Sequence, residues 1–179
     1  MKEIYFTRHG QTVWNVENKI CGSTDSPLTD KGRAQAAALA GQIKDSGIHI
    51  DAILYSPLSR AADTARIIAD ATGIPAREEK RLTEQNFGKW EGTARDGVAF
   101  KESKRHFADS YGGGESMLRL AQRVYTLLDE LKRQPDDRTV LLVAHNGIAR
   151  VVNSYFHDMT NEEYASFGIR YCELVKYIF

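Results

Sequence analysis

The stretch IYFTRHG, residues 4–10, places a short apolar run before an arginine, a histidine and a glycine. β-Branched and aromatic residues such as those of IYF favour strands. Gly10 allows a sharp turn after the strand and exposes its neighbours. Because ligands of open α/β sheets bind beyond the carboxyl ends of strands, we expect Arg8 and His9 to face a ligand.

Arg8 and His9 are residue types that suit a phosphate group. The planar guanidinium of an arginine gives two parallel, charge-assisted hydrogen bonds to phosphate oxygens. A neutral histidine can attack phosphorus through one ring nitrogen while a hydrogen bond at the other fixes the tautomer. One Arg-His pair alone is more often solvated surface or core packing, so the hypothesis needs a second signal.

A second strand with a histidine at its end lies far along the chain. Residues 138–144, RTVLLVA, contain a continuous apolar run, which is typical of a strand covered by helices on both faces. His145, Asn146 and Gly147 follow it directly. We therefore expect this strand to end at the same edge of the sheet as the first.

A third strand, predicted over residues 51–55, runs into an alanine-rich helix. Arg60 falls in the first turn of that helix. Helix N-termini attract anions through unpaired amide groups and the helix dipole, and an arginine placed there strengthens a phosphate site. The pattern therefore predicts a phosphate site that combines His9, His145 and Arg60.

With these residues the chain resembles the histidine phosphatase superfamily, also called the phosphoglycerate mutase-like proteins. Six stretches match its motifs in order: RHGQTVWN at 8–15, DSPLTDKGRAQA at 25–36, SPLSRAADTA at 56–65, LTEQNFGKWEG at 82–92, GGES at 113–116 and AHNG at 144–147. The resemblance implies an α/β fold, a three-layer α/β/α sandwich with a mostly parallel central sheet. It also implies a single domain over residues 1–179, with a lid-like insertion at about residues 85–115.

The resemblance further implies a metal-independent phosphomonoesterase that uses no cofactor. His9 takes up the phosphoryl group as phosphohistidine, and Glu84 donates a proton to the leaving group and later activates water. The implied catalytic set is His9, Glu84, Arg8, Arg60 and His145. The implied substrate-binding set is Arg8, Asn15, Cys21, Gly22, Arg60, Glu84, His145 and Asn146.

Two other functions remain open within the same resemblance. Cofactor-dependent phosphoglycerate mutases are longer and follow the glutamate with a motif like RHYGALQG, whereas residues 85–92 read QNFGKWEG, which resembles the phosphatase branch. A catalytically inactive relative that binds phosphorylated ligands is the second alternative. Asn146 departs from the usual HGG ending, and because asparagine tolerates left-handed backbone, we expect it to match part of the freedom of that glycine.

The lid-like insertion is expected to choose the substrate. It mixes aromatic residues with five bases: Lys89, Arg95, Lys101, Lys104 and Arg105. We expect Phe87 and Trp90 to hold the insertion against the body of the protein and each base to be solvated.

The remaining histidines are not expected to bind a metal ion. They show no close ligand spacing such as HExxH. We expect His49 and His157 on the solvated surface and His106 within the lid-like insertion.

The resemblance implies a small phosphorylated metabolite as the ligand, and the composition speaks against other classes of partner. Acidic and basic residues balance at a formal net charge of zero, which argues against nucleic acid as a partner. No stretch approaches transmembrane length and no signal peptide is recognisable, so we expect no membrane partner and a cytoplasmic location. Cys21 and Cys172 do not form a disulfide framework. The chain is expected to be a monomer or a homodimer.

Hydrophobic periodicity and helix end signals predict four longer helices. They cover about residues 29–45, 58–72 and 116–133, and a fourth begins near residue 147. A last strand is predicted over residues 173–179, at an edge of the sheet.

Overall fold

Five strands form one sheet within residues 2–179, the part of the chain that the computed structural model describes. They are β1 (Glu3–Arg8), β2 (Ala52–Tyr55), β3 (Ala76–Glu78), β4 (Val140–Ala144) and β5 (Leu174–Ile178). Their order across the sheet is β3-β2-β4-β1-β5. β5 is antiparallel to β1, and the other neighbouring strands are parallel. The mostly parallel sheet and the edge position of the last strand are thus confirmed.

Seven α-helices lie in the same range of residues. They are α1 (Val13–Val16), α2 (Asp30–Ser46), α3 (Ser59–Thr72), α4 (Val98–Ser103), α5 (Met117–Arg133), α6 (Asn146–Phe156) and α7 (Asn161–Ser166). Short 3₁₀ turns cover Lys80–Leu82 and Gly88–Trp90. The longer helices α2, α3, α5 and α6 confirm the four that periodicity predicts.

The sequence patterns do not predict α1, α4, α7 or β3. Each has three to six residues, too few to show a hydrophobic period. Local hydrogen bonds start two of them instead. Thr12 with Asn15 and Thr160 with Glu163 form capping boxes, in which side chain and backbone bond reciprocally at the helix start.

Alternate residues of the sheet face opposite layers of helices. Phe6 and Leu142 pack with residues of α5 and α6 in one buried cluster. Tyr5 and Leu141 pack with residues of α2 and α3 in another. Because strand side chains alternate between the two faces, burial of both faces requires the continuous apolar run of β4. The three-layer α/β/α sandwich is confirmed.

The register of β1, β4 and β2 brings three polar strand ends together. Arg8 lies beside Ala144, and the amide of His9 donates to the carbonyl oxygen of Ala144 at 3.0 Å. The amide of Ser56 donates to the carbonyl oxygen of Val143 at 3.1 Å. The helices that follow β1 and β4 pack on opposite faces of the sheet, which opens a crevice at this edge.

Candidate active site

His9 follows the last residue of β1, and its side chain is buried. Its Nδ1 atom lies 2.7 Å from the carbonyl oxygen of Gly10. A carbonyl oxygen only accepts hydrogen bonds, so Nδ1 carries the proton of the neutral ring and Nε2 keeps its lone pair. Burial, together with the charges of Arg60 and Arg8, lowers the pKa of His9 well below 6.5. The ring is therefore neutral near pH 7, and Nε2 is its nucleophilic nitrogen.

Gly10 lets the turn after β1 pack closely against α2. A Cβ atom at Gly10 would collide with the backbone carbonyl group of Gly32 in α2. The amide of Gly10 also donates to Oγ1 of Thr64 in α3 at 3.2 Å. The turn that presents His9 is thus held by both helices of this layer.

His145 lies next to His9, directly after β4, with the two ring centroids 5.2 Å apart. Its Nε2 atom lies 2.7 Å from Oγ of Ser56. Its buried Nδ1 atom has no hydrogen-bond partner in the described part of the chain. Burial, with Arg60 and His9 nearby, lowers the pKa of His145 well below 6.5. The site therefore holds two neutral imidazoles side by side.

Arg60 lies in the first turn of α3, as the sequence predicts, and its side chain is fully buried. The guanidinium donates to the carbonyl oxygens of Gly22 at 2.6 Å and Thr24 at 3.0 Å. It also contacts the carboxylate of Asp25 at 3.3 Å. Its Nε atom has no partner among the described residues. Arg60 thus holds the loop of residues 21–25 and keeps one donor unused.

Glu91 holds the same loop from the lid side. Its carboxylate accepts the amides of Gly22 at 3.1 Å and Ser23 at 3.0 Å. It accepts the amide of Phe87 at 3.0 Å as well. Glu91 has no predicted role, although the residue lies within the matched stretch LTEQNFGKWEG, which is the one signal that could have identified it.

Arg8 extends from the end of β1 across the ring of Tyr171, with its guanidinium carbon 4.2 Å from the ring centroid. Its Nη1 atom donates to the carbonyl oxygen of Ile169 at 3.2 Å. Its buried Nε atom has no hydrogen-bond partner within the described range. Burial lowers the pKa of Arg8, an effect that the nearby Tyr171 and Glu84 oppose.

Glu84 is buried at the N-terminus of α6. One carboxylate oxygen accepts the amide of Gln85 at 2.9 Å, and the other accepts the amide of Gly147 at 2.9 Å. A Cβ atom at Gly147 would collide with the carboxylate of Glu84. The glycine of the AHNG stretch is therefore what allows this carboxylate to approach the helix. Each oxygen keeps a second lone pair that can carry a proton.

A cavity of about 110 Å³ opens at this edge of the sheet. It is lined by six of the predicted site residues: Arg8, His9, Asn15, Cys21, Glu84 and Asn146. Gly22, Arg60 and His145 do not line it and are buried beside it. Asn15 uses its amide oxygen to accept the backbone amide of Thr12 at 3.0 Å, which leaves its amide nitrogen as a donor for a ligand.

Asn146 lies on ordinary helical backbone, so the tolerance of asparagine for left-handed backbone is not used here. It is the first residue of α6, and its φ is not positive. The amide oxygen accepts the backbone amide of Ile169 at 3.0 Å, and Gly168 leaves room for this contact. The residue thereby ties the start of α6 to the chain segment before β5.

The bases of residues 85–115, here called the lid segment, fall into two groups. Arg95 and Lys104 line the cavity, so the expectation that each base is solvated is wrong for these two. Lys104 follows α4 one turn after Phe100, and Phe100 is buried, so this face of the helix turns inward. The other bases are exposed, as expected: Lys89, Lys101 and Arg105.

The aromatic residues of the lid segment hold it down, as predicted. Phe87, Phe100 and Tyr111 form a small buried cluster with Ile20, and Trp90 packs against it. This cluster is separate from the two clusters on the faces of the sheet.

Arg150 is a cavity residue that no sequence pattern predicts. It lines the cavity from α6, four residues after Asn146. Residues four apart share a helix face, so the position of Asn146 is the one signal that could have pointed to it.

The other histidines lie away from this site. His49 is exposed and lies 2.9 Å from the carboxylate of Asp51, and His106 and His157 are exposed too. Among residues 2–179 no three His, Cys, Asp or Glu side chains are grouped so that they could hold a metal ion. No helix in that range is both long enough and apolar enough to span a membrane.

Comparison with known proteins gives one family. A family model described as the histidine phosphatase superfamily, branch 1, matches residues 4–179. A probable phosphoglycerate mutase, GpmB, of Yersinia pestis is 36% identical over 152 residues, which are 81% of this chain and 70% of that protein.

Two solved structures are similar over nearly the whole chain. A mycobacterial glucosyl-3-phosphoglycerate phosphatase complexed with VO3 shares 28% identity at a TM-score of 0.83, covering 98% of this chain and 90% of that one. YhfR of Bacillus stearothermophilus shares 30% identity at a TM-score of 0.83, with the same coverage of 98% and 90%. Sequence and fold thus point to the same group of proteins.

Proposed function

The chain belongs to the histidine phosphatase superfamily, and from this premise we propose that it hydrolyses a small phosphomonoester through a phosphohistidine on His9. Glu84 serves as the proton donor, and the reaction needs neither a metal ion nor a cofactor. A phosphatase among the similar solved structures supports hydrolysis as the reaction. The cavity volume of about 110 Å³ supports a small substrate.

One observation carries the proposal: three buried nitrogen atoms close to His9 have no hydrogen-bond partner. They are Nε of Arg8, Nε of Arg60 and Nδ1 of His145, three of the five such side-chain atoms in residues 2–179. Native structures keep few unpaired buried polar groups, because each costs free energy. The oxygens of a phosphoryl group at Nε2 of His9 satisfy these donors.

The proposal needs the tautomer of His145 that carries its hydrogen on Nδ1, and Ser56 is placed to stabilise it. The hydroxyl of Ser56 lies 2.7 Å from Nε2 of His145 and can donate its proton to that nitrogen, while its oxygen accepts the amide of Leu58 at 3.4 Å. Nδ1 of the neutral ring then carries the hydrogen and donates it to a phosphoryl oxygen. Preorganised donors in a site shielded from water are worth about 2.7–4 kcal/mol each when removed.

The reaction then runs in two displacements at phosphorus. The lone pair on Nε2 of His9 forms the P–N bond while the P–O bond to the leaving group breaks, and the carboxyl group of Glu84 protonates the departing oxygen. In the second step the carboxylate of Glu84 takes a proton from water. The water oxygen bonds to phosphorus, the P–N bond breaks and its electron pair returns to His9.

A second candidate is a phosphoglycerate mutase, which the name of the relative at 36% identity favours. A mutase uses the same phosphohistidine but returns the phosphoryl group to another hydroxyl of the substrate instead of to water. Both activities therefore need His9, and they differ in the group that accepts the phosphoryl group from it.

The test measures phosphate release from a panel of phosphomonoesters, in the presence of a chelator, by wild type, His9→Ala and the control His49→Ala. A parallel assay follows conversion of 3-phosphoglycerate to 2-phosphoglycerate with bisphosphoglycerate present. The proposal expects release by wild type and by His49→Ala, and loss of release in His9→Ala. Full release by His9→Ala overturns it, and isomerisation without release assigns the mutase activity instead.

A further inference from the structure

The two arginines of the proposed phosphoryl site are held in different ways. The guanidinium of Arg60 donates to two main-chain carbonyl oxygens and contacts a carboxylate. The guanidinium of Arg8 donates to one carbonyl oxygen, that of Ile169 at 3.2 Å, and forms no ion pair with a carboxylate in residues 2–179. One hydrogen bond does not fix the plane of a guanidinium group, because the group can still rotate about it. Arg8 therefore needs a further contact to keep one orientation.

The aromatic ring of Tyr171 supplies that contact. The guanidinium carbon of Arg8 lies over the ring, 4.2 Å from its centroid. The quadrupole of an aromatic ring attracts an arginine to its face, and the attraction is larger when the pair is shielded from water. Because the contact is made by the face of the guanidinium, the N–H groups on its edge stay available for hydrogen bonds. The contact thus holds Arg8 without using its unpaired Nε donor.

The main chain on both sides of Tyr171 is attached to the active site. Tyr171 forms an isolated parallel β-bridge with Arg8, and the amide of Cys172 donates to the carbonyl oxygen of Arg8 at 2.9 Å. Two residues before Tyr171, the amide of Ile169 donates to the side chain of Asn146 at 3.0 Å. This segment is therefore bonded both to β1 and to the start of α6, which fixes the place of the ring.

The backbone turns sharply directly after Tyr171. Cys172 has a φ of +55°, in the left-handed region that residues other than glycine seldom adopt. Its side chain is buried in the cluster between the sheet and helices α2 and α3, and β5 begins at Leu174. A conformation of this kind persists only where the surrounding contacts enforce it. Cys172 thus carries the chain from the contact with Arg8 into β5.

Tyr171 lies beside the active-site cavity and does not line it, whereas Arg8 does. Its ring centroid is 6.4 Å from that of His9. The residues that share a cavity with Tyr171, such as Gln35 and Leu174, surround a separate opening on the surface. An effect of Tyr171 on the reaction therefore passes through Arg8.

We propose that Tyr171 is a positioning residue, which holds the guanidinium of Arg8 so that Nε faces the phosphoryl group at His9. This inference rests on the proposed function, because the phosphoryl group at His9 is what Arg8 binds. The ring is the part of Tyr171 that acts, since the ring makes the contact. Tyr171→Phe therefore keeps the positioning, and Tyr171→Leu removes it.

The kinetic test measures kcat/KM for p-nitrophenyl phosphate and 3-phosphoglycerate. Tyr171→Leu is expected to lose about 10-fold for both substrates, the size of a cation–π contact shielded from water. Tyr171→Phe is expected to stay within about twofold of wild type. The matched control is Tyr125→Leu, because Tyr125 is also half-buried but packs against Tyr155 instead of an arginine, and it should behave like wild type. A 10-fold loss in Tyr171→Phe, or no loss in Tyr171→Leu, overturns the proposal.

An Arg8→Met background separates positioning from a general loss of structure. Methionine keeps an unbranched side chain at this position but has no guanidinium to orient. Tyr171→Leu is therefore expected to cost about 10-fold in the wild-type background and less than about twofold in Arg8→Met, a coupling that a double-mutant cycle measures. Equal losses in the two backgrounds overturn the assignment.

The orientation of Arg8 is also observable without enzymatic activity. The Nε–H signal of Arg8 in a ¹⁵N NMR spectrum is assigned by its absence from Arg8→Met. Its order parameter is expected to be about 0.8 in wild type and Tyr171→Phe and below about 0.6 in Tyr171→Leu. A mobile Nε–H group in wild type overturns the proposal, and that result does not depend on whether Tyr171→Leu folds.

Inorganic phosphate distinguishes failure of this inference from failure of the proposed function. If wild type releases no phosphate from any ester, the proposed function fails, and the NMR signal of Arg8 still tests the positioning. Added phosphate is expected to shift the Nε–H signal in wild type and in Tyr171→Phe, and to shift it much less in Tyr171→Leu. No shift in wild type, or equal shifts in all three proteins, overturns the inference.

Discussion

The sheet edge that carries His9 and the lid segment opposite it are held in different ways. At the edge, the amide of His9 bonds to Ala144 of the neighbouring strand, and the surrounding strand residues belong to the two main clusters of the core. The lid segment packs through its own small cluster around Phe87 and Phe100. The reacting groups are thus fixed by the core, whereas the cavity-lining bases Arg95 and Lys104 lie on a segment that packs through a separate cluster.

The largest expected effect comes from removing the proton donor at the sheet edge. Glu84→Gln keeps the shape of the side chain but supplies no proton, so hydrolysis of an alkyl phosphate should fall by about 10²- to 10⁴-fold. p-Nitrophenyl phosphate, whose leaving group needs little protonation, should lose much less. The comparison of kcat for the two substrates measures this. Equal losses for both remove Glu84 from the acid role.

A charge-conserving change at the edge should be nearly as damaging and should not depend on the substrate. Arg60→Lys keeps the positive charge but loses the planar fork that holds Gly22 and Thr24 and the free Nε atom. We expect kcat/KM to fall about 10²- to 10³-fold for every phosphomonoester. Arg66→Lys, on the exposed face of α3, is the control. If the loss of kcat/KM in Arg60→Lys differs between substrates, the sheet edge and the lid segment do not have the separate roles described here.

The two hydrophobic clusters provide the most direct contrast in stability. Leu142→Ala removes a fully buried side chain from the sheet and should lower the free energy of unfolding by about 2–5 kcal/mol. Phe100→Ala removes a buried ring from the lid cluster and should mainly open the lid segment. Denaturant unfolding and limited proteolysis measure the two effects. Phe100→Ala is expected to be cleaved rapidly within residues 85–115 while its free energy of unfolding stays near that of wild type. If Phe100→Ala instead lowers the free energy of unfolding as much as Leu142→Ala does, the lid segment and the sheet unfold as one cooperative unit.

The smallest expected effect is a pH dependence of folding that comes from the edge alone. His9 and His145 have pKa values well below 6.5 in the folded state, so the unfolded chain binds more protons as the pH falls below 6.5. Stability should therefore be full above pH 6.5 and decline below it, at up to about 1.4 kcal/mol per pH unit for each histidine. Unfolding free energies between pH 7 and about pH 5 check this, since carboxylates protonate lower. His9→Gln should flatten the slope and His49→Gln should leave it unchanged; identical slopes contradict the assignment.

The positions of His9, His145 and Arg60 could be predicted from the sequence because the two histidines follow directly after strands and Arg60 lies in the first turn of a helix, whereas Glu84 is implied only by the family resemblance. Apolar runs and turn residues locate those ends, so the neighbourhood of His9, Arg60 and His145 follows from the parallel register. The contacts of Ser56 and Glu91 could not be derived in this way, because they join segments far apart in the chain.

The wall on the lid side was harder to predict for the same reason. Whether Arg95 and Lys104 face solvent or the cavity depends on how the short helix α4 packs, and six residues show no clear hydrophobic period. Arg150 is buried on α6 among apolar neighbours in the sequence such as Ile148, Ala149, Val151 and Val152, so the hydrophobic pattern gives no sign that a cation lines the cavity. The contact of the Asn146 side chain with the amide of Ile169 joins segments far apart in the chain, so no local pattern predicts it.

The central claim is that the phosphoryl group passes through His9. The wild-type protein is mixed with p-nitrophenyl phosphate, and the reaction is quenched in base. The protein is then digested, and mass spectrometry locates phosphohistidine in the peptides. His9→Ala and His49→Ala are treated in the same way. The account predicts phosphate on the peptide that carries His9 in wild type and in His49→Ala, and none in His9→Ala. Phosphate on another residue, or phosphoenzyme that survives the loss of His9, would contradict it.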